Sequence, residues 1–285
     1  MKILLIFFSI LGYSQSDYET AQLAFNKKYD QNQSLKSKKI YQKIYAQSNE
    51  ITDKCFCLNR ISYLDFLSGT RKTIELPQNA SDAEKEIAQK QELALLKNSI
   101  QLAQECKKLF GTSFDIGDYT ELTNEELNLL SEAHYLYSTS LARASEIEGF
   151  RVVLKNWPKI KKSMKFIINL KKEDTFYFGP FRTLGIANTK MPSPFGNKTE
   201  AYKYLSQASD NTTWENKNIS KYIYNSIALA DYYKKVKEPE KACTLLGEIL
   251  SLTREDIEKT NPSLIAETLI DQKRAKKNYE SFSCN

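Results

Sequence analysis

The chain has 285 residues, enough for one large or two small domains with a sizeable core. Apolar residues make up 41% and aromatics 12%, which excludes a disordered chain, and only 9 Gly and 7 Pro argue against a turn-rich β protein. Net charge is +6, from 41 Lys and Arg against 35 Asp and Glu, with the signs interspersed. That pattern describes a solvated helical surface rather than a basic stripe, so no nucleic-acid partner is expected.

The N-terminus reads as a targeting signal. Lys2 is followed by the apolar stretch 3–11, too short to span a bilayer but of the length a signal peptide uses. Gly12 and Ser14 supply small residues at −3 and −1 for cleavage before Gln15. Residues 1–14 are therefore expected to be a signal peptide, placing the mature protein in a periplasmic or extracellular compartment. No Cys stands nearby to take a lipid, so no lipid anchor is expected, and no later stretch is long and apolar enough for a transmembrane helix.

From Ser16 the pattern is helix after helix. Residues 18–29 and 34–51 place Ala21, Ala24 and Phe25, then Ile40, Tyr41 and Ile44, at helical spacing. A third helix is predicted over 55–67, ending before Ser68-Gly69-Thr70, and the Pro77 segment reads as a loop. Ser81 with Glu84 forms a capping pattern that opens a long helix to about residue 110. Residues 111–119 read as a loop. Thr123 with Glu126 is a second capping box, opening a helix that ends near Gly149. Asn156-Trp157-Pro158 reads as the start of the next, with Pro at an early position where it is tolerated. Two helix pairs follow, over 178–208 and 227–249, then a final helix over 263–282. The expected organisation is a set of N-terminal helical repeats over 15–120 and C-terminal repeats over 121–285.

Five cysteines are present, and in an oxidising compartment an odd number leaves at least one thiol unpaired. Cys55 and Cys57 lie two apart on a predicted helix and point to different faces, so they do not suit each other. One of them can pair with Cys106, and Cys243 with Cys284. Equally, all five can serve as small apolar core residues.

The C-terminal pairs carry the clearest pattern. Leu229-Ala230, Tyr233, Ala242, Leu246 and Ile249 follow the offsets of the tetratricopeptide repeat, in which small residues let two helices cross closely and an aromatic fills the wedge. Leu184-Gly185, Ala201, Leu205 and Ala208 repeat it with a longer connection, absorbed by the Pro-containing stretch 191–197, where Asn197 can cap the next helix with Glu200 at N3. Over 178–279, closing on Arg274-Ala275, the chain resembles the T component associated with TRAP transporters, a family of divergent tetratricopeptide-like repeats. The fold expected is therefore all-α, a right-handed solenoid of helical hairpins with divergent repeats. The resemblance implies an extracytoplasmic protein that assists uptake of small organic solutes and works with a solute-binding protein partner.

Catalytic chemistry finds little to build on. His134 is the only histidine, so neither a metal centre nor a Ser-His triad is expected, and a structural role for it is. Glu125 and Glu126 are accounted for by capping and the helix dipole, and no acid–base role is expected for them or for Glu132. No phosphate-cradling loop is present, so no enzyme activity, metal or cofactor is expected. Lys155, Lys159, Lys161, Lys162, Lys165, Lys171 and Lys172 surround the Trp157–Ile160–Met164–Ile167–Ile168 stripe. A basic amphipathic helix of that kind can lie on an anionic membrane or simply be a solvated face. The best candidate for a ligand surface is aromatic: Phe176, Tyr177, Phe178, Phe195 and Trp214 to wall a pocket, with Arg182 to hold a carboxylate. The function expected is non-enzymatic binding of a partner protein or small organic solute. The alternative is an envelope-associated protein that docks on membrane or cell-wall polymer through the basic helix.

Overall fold

A computed structural model describes residues 15–111, 119 and 121–284. The expected signal peptide and most of the 111–119 loop lie outside the described residues. The described chain is all-α: twelve α-helices and one short 3-10 helix, with only an isolated bridge between Thr213 and Ser220. No helix among the described residues is long and apolar enough to cross a membrane.

The helices are α1 (Gln15–Asn26), α2 (Gln31–Gln47), α3 (Ile51–Ile74), α4 (Asp82–Leu109), α5 (Asn124–Glu148) and α6 (Phe150–Asn169). There follow α7 (Thr175–Lys190), α8 (Lys198–Asp210), α9 (Tyr224–Lys235), α10 (Pro239–Leu250), α11 (Arg254–Thr260) and α12 (Ile265–Ser281). Local chemistry starts many of them. Ser81 Oγ accepts from Glu84 N while the Glu84 carboxylate accepts from Ser81 N, and Thr123 with Glu126 forms the same reciprocal box. Asn197 caps α8 by accepting from Glu200 N at 3.0 Å.

Neighbours in sequence are neighbours in space: α1 on α2, α3 on α4, α5 on α6, α7 on α8 and α9 on α10, with α5 also touching α3 and α7. Small residues set the crossings. A Cβ on Gly185 would lie 2.5 Å from Leu205 Cγ, so α7 and α8 approach as closely as they do only with Gly there. Ala201, Leu205 and Ala208 are fully buried beside it, as are Ala230 and Ala242 between α9 and α10.

Several predicted boundaries move: α2 ends at Gln47, and Ile51, expected to close the second helix, opens α3 instead. The third helix does not stop at Ser68 but continues to Ile74, because Gly69 is a packing residue: its face lies against Glu92 O and Leu95 of α4, each 3.3 Å from where a Cβ would be. The helix expected to open at Asn156 begins at Phe150, directly after Gly149, whose φ of 111° makes the break. Asn156 instead donates to Ser145 Oγ at 2.9 Å, and Pro158 lies inside the helix. The final helix expected over 263–282 opens instead with the 3-10 turn Pro262–Leu264, and α12 itself begins at Ile265, with α11 separate before it.

The chain end returns to the beginning. α12 packs on α3 through Ala266, Ile270 and Leu67. Beside that apolar patch the buried Lys28 ammonium sits 3.3 Å from Glu267 and donates to Ser263 O at 3.0 Å, while Tyr63 Oη donates to Glu267. Two disulfides complete the framework. Cys55–Cys106 joins α3 to α4, Cys243–Cys284 joins α10 to the third residue beyond α12, and Cys57 is a buried free thiol.

Closing a loop of 41 residues by the second disulfide restricts the unfolded chain, a contribution of about 2–4 kcal/mol. Cys243→Ser with Cys284→Ser is expected to lower the unfolding free energy by that amount in a urea titration. Only Cys57 should react with a thiol reagent in the denatured, unreduced native-sequence protein.

Candidate functional site

The start of α7 is the least ordinary backbone among the described residues. Phe176, Tyr177 and Phe178 have φ of 48°, 56° and 59°, three successive non-glycine residues in the left-handed region. Each such residue costs about 1–2 kcal/mol, so the surroundings must hold the turn in place. They do so through Arg182 and Asn225. Arg182 Nη1 lies 3.5 Å from Phe176 O and 3.4 Å from Tyr177 O, and Asn225 Nδ2 donates to Tyr177 O at 3.1 Å.

Arg182 is only 2% exposed. Its Nη1 donates to Asn225 Oδ1 at 2.5 Å and its Nη2 to Tyr135 Oη. The guanidinium lies 4.5 Å from the Tyr222 ring centroid. Tyr135 can reach it because position 179 is glycine: a Cβ there would fall 2.2 Å from the Tyr135 ring. Asn225 carries the rest of the junction, with Nδ2 also within 2.9 Å of Ala208 O and 3.0 Å of Thr212 Oγ1. One amide thus ties α7, the end of α8 and the start of α9.

Aromatic rings continue the seam in both directions. Phe176 stacks on Tyr135 at 4.6 Å and packs on Tyr63 of α3 at 5.4 Å, while Tyr177 stacks on Tyr222 at 5.2 Å. From α12, Arg274 covers the Tyr224 ring at 4.1 Å and sits 3.5 Å from Asp271. Burial pushes the carboxyl of Asp271 up to about 6 against the pull of Arg274 and Arg182, and that of Asp231 likewise to about 6. Asp231 accepts from Asn278 Nδ2 at 2.7 Å. A chain of ion pairs extends the charged lining: Arg143 grips Glu92 through Nε at 2.6 Å and Nη2 at 3.0 Å, and Glu146 bridges Arg143 at 3.2 Å and Lys190 at 2.7 Å. Although burial opposes it, Lys190 and Arg143 hold the Glu146 carboxyl below the usual range.

Of the residues expected to form a ligand surface, the fold brings Phe176, Tyr177 and Arg182 together. Phe178 stacks on Phe181, which stacks on Tyr204, one step away from the seam. Phe195 is 53% exposed on the 191–197 turn, and Trp214 is 7% exposed in the C-terminal apolar core with Leu205 and Ile219. The donors of Arg182 face an amide, a phenol and backbone carbonyls rather than open space. Tyr135, Tyr222, Tyr224, Asn225, Asp271 and Arg274 also belong to the seam and were not among the residues expected to form a ligand surface. One signal was available: Glu267, Asp271 and Arg274 share one helical face by their i, i+4, i+7 spacing.

His134 is buried, with Nδ1 3.1 Å from Ser163 Oγ and its ring against Phe166 at 4.3 Å. Burial, with Lys107 nearby, pushes its pKa well below the usual value, so it stays neutral. Glu126 is held in its capping box and Glu132 lies 3.5 Å from Arg60. Among the described residues no group of three His, Cys, Asp or Glu side chains could hold a metal ion. Compared with known proteins, the chain matches no protein-family model and no curated protein.

Two outcomes test the seam. Arg182→Met removes the donors that hold the left-handed turn and leaves buried acceptors unpaired, a loss of about 3–5 kcal/mol in denaturant unfolding. Asp271 has a native pKa above its unfolded value, so the folded state binds the extra proton and stability falls as pH rises from about 4 to about 6. Asp271→Asn is expected to flatten the stability profile over that window.

Proposed function

We propose that this chain is a non-enzymatic, exported binding protein built from divergent tetratricopeptide-like hairpins in a right-handed solenoid. In this reading its inward seam receives a partner protein or small organic solute, as an accessory of TRAP-type uptake beside an extracytoplasmic solute-binding protein. The observation that carries the reading is the seam itself. Tyrosines and charged side chains from α3, α5, α7, α9 and α12 converge there, and their polar groups satisfy one another instead of forming a nucleophile–base pair. Where the seam reaches the surface, Tyr177, Tyr222, Tyr224, Arg143 and Arg274 are half-buried, and tyrosine and arginine are the side chains that dominate binding surfaces, because they combine large area with a polar tip. In support, helices pair in chain order and small residues sit at the α7–α8 and α9–α10 crossings. The two disulfides are compatible with an oxidising compartment.

A second reading rests on α6. Lys155, Lys159, Lys161 and Lys165 are exposed along it, and Phe150 at its start is 53% exposed. This is the composition of a surface that docks on an anionic envelope polymer or membrane.

Native mass spectrometry of the protein purified without denaturation separates the two. Solute handling is expected to show a retained adduct of small-molecule mass or a 1:1 complex with an added solute-binding protein. A bare chain that forms neither, yet co-sediments with anionic vesicles at low salt and leaves them at high salt, would overturn the first reading in favour of the second.

A further inference from the structure

Where α12 closes against α3 and α10 there is a cleft of about 540 Å³ that the seam does not use. That size falls within the roughly 300–1,000 Å³ of small-molecule sites. Its floor is apolar: Leu250 at the end of α10 with Leu252 just after it, and Leu269 and Ile270 from α12. Leu252 and Ile270 are buried, while Leu250 and Leu269 are half-exposed into the cleft. Gln272 holds the floor together, donating to Ile249 O at 3.2 Å and Leu252 O at 2.9 Å.

The rim is positive. Arg71, Lys273 and Lys276 stand around it against the single carboxylate of Glu75. Glu75 is already shared, 3.3 Å from Arg71 Nε and 2.7 Å from Lys273 Nζ, and although burial opposes it those two cations hold its carboxyl below the usual range. Lys276 is exposed and has no ion-pair partner among the described residues. An apolar trough bordered by surplus positive charge complements a molecule with an apolar tail and an anionic head.

We infer that this cleft binds a free acyl carboxylate of medium chain length, with the tail on Leu250, Leu252, Leu269 and Ile270 and the head at Lys276 and Lys273. The trough takes its walls from three helices and the Tyr29 turn. Because its walls come from α3, α10 and α12, an occupant bridges the two ends of the chain and stabilises their closure. The site lies apart from the seam around Arg182, and the inference does not rest on the function proposed above.

The test uses the full disulfide-bonded mature chain and sodium octanoate, decanoate and dodecanoate below their micellar concentrations, read by titration calorimetry and by thermal unfolding. Affinity is expected to rise about tenfold for each pair of methylenes until the cleft is full, with acetate inert. Decanoate is expected to raise the melting temperature in proportion to the logarithm of its concentration. Lys276→Glu, an exposed change whose folding is checked by its own melting curve, is expected to weaken decanoate at least tenfold and leave decanol unaffected. Three results would each overturn the assignment. These are equal binding of acetate and decanoate, decanoate affinity unchanged in Lys276→Glu, and binding to phosphatidylglycerol vesicles with none to free decanoate.

Discussion

A buried positive charge governs this structure. Arg182 sits at the meeting point of α5, α7 and α9 with its donors directed at an amide, a phenol and two backbone carbonyls, and with tyrosine faces around the guanidinium. A cation withdrawn from water is tolerated only where hydrogen bonds and aromatic faces replace its hydration. Each replacement therefore fixes something else. The Tyr135 hydroxyl requires glycine at position 179, Asn225 requires the end of α8 to lie beside the start of α9, and the carbonyls require the left-handed turn at Phe176–Phe178. The strained backbone and the buried charge stabilise each other, and neither has a reason to persist alone.

A second constraint acts at long range. α12 lies against α3 because the Lys28–Glu267 pair, the Tyr63 hydroxyl and the Ala266–Ile270–Leu67 contact meet at one place. Glu267, Asp271 and Arg274 on that same helix also face inward toward Tyr63, Tyr222 and Tyr224. Closure and lining are thus two uses of one helix face. The disulfide from Cys243 to Cys284 holds α12 to α10 on its other side, so the helix that completes the seam is anchored from both directions.

Much of the local structure was legible in the residues. Ser81 with Glu84, Thr123 with Glu126, and Asn197 with Glu200 mark helix starts because a side-chain oxygen at the cap finds a backbone N–H within the next turn, a matter of three residues. Gly185, Ala201, Ala230 and Ala242 announced close crossings because a missing side chain is visible in sequence. Gly69 misled for the same reason. Glycine next to Ser and Thr reads as a helix end, whereas here it lets α3 run under α4. The candidate site was half legible. Phe176, Tyr177 and Arg182 converge, but Trp214, near them in sequence, turned into the C-terminal core and Phe195 stayed on an exposed turn.

By itself, then, the sequence determined the all-α class, most helix starts and the pairs that cross closely, since these depend on 3.6-residue periodicity, caps and side-chain size within a few turns. Only the tertiary structure decided which tyrosines face Arg182, that Cys55 rather than Cys57 bonds Cys106, and that the last helix returns to the third. Those choices join residues such as Tyr63 and Glu267, separated by 204 positions. No periodicity spans such a distance. It is fixed by how each successive helix crosses the one before it, a geometry that exists only once the chain has packed.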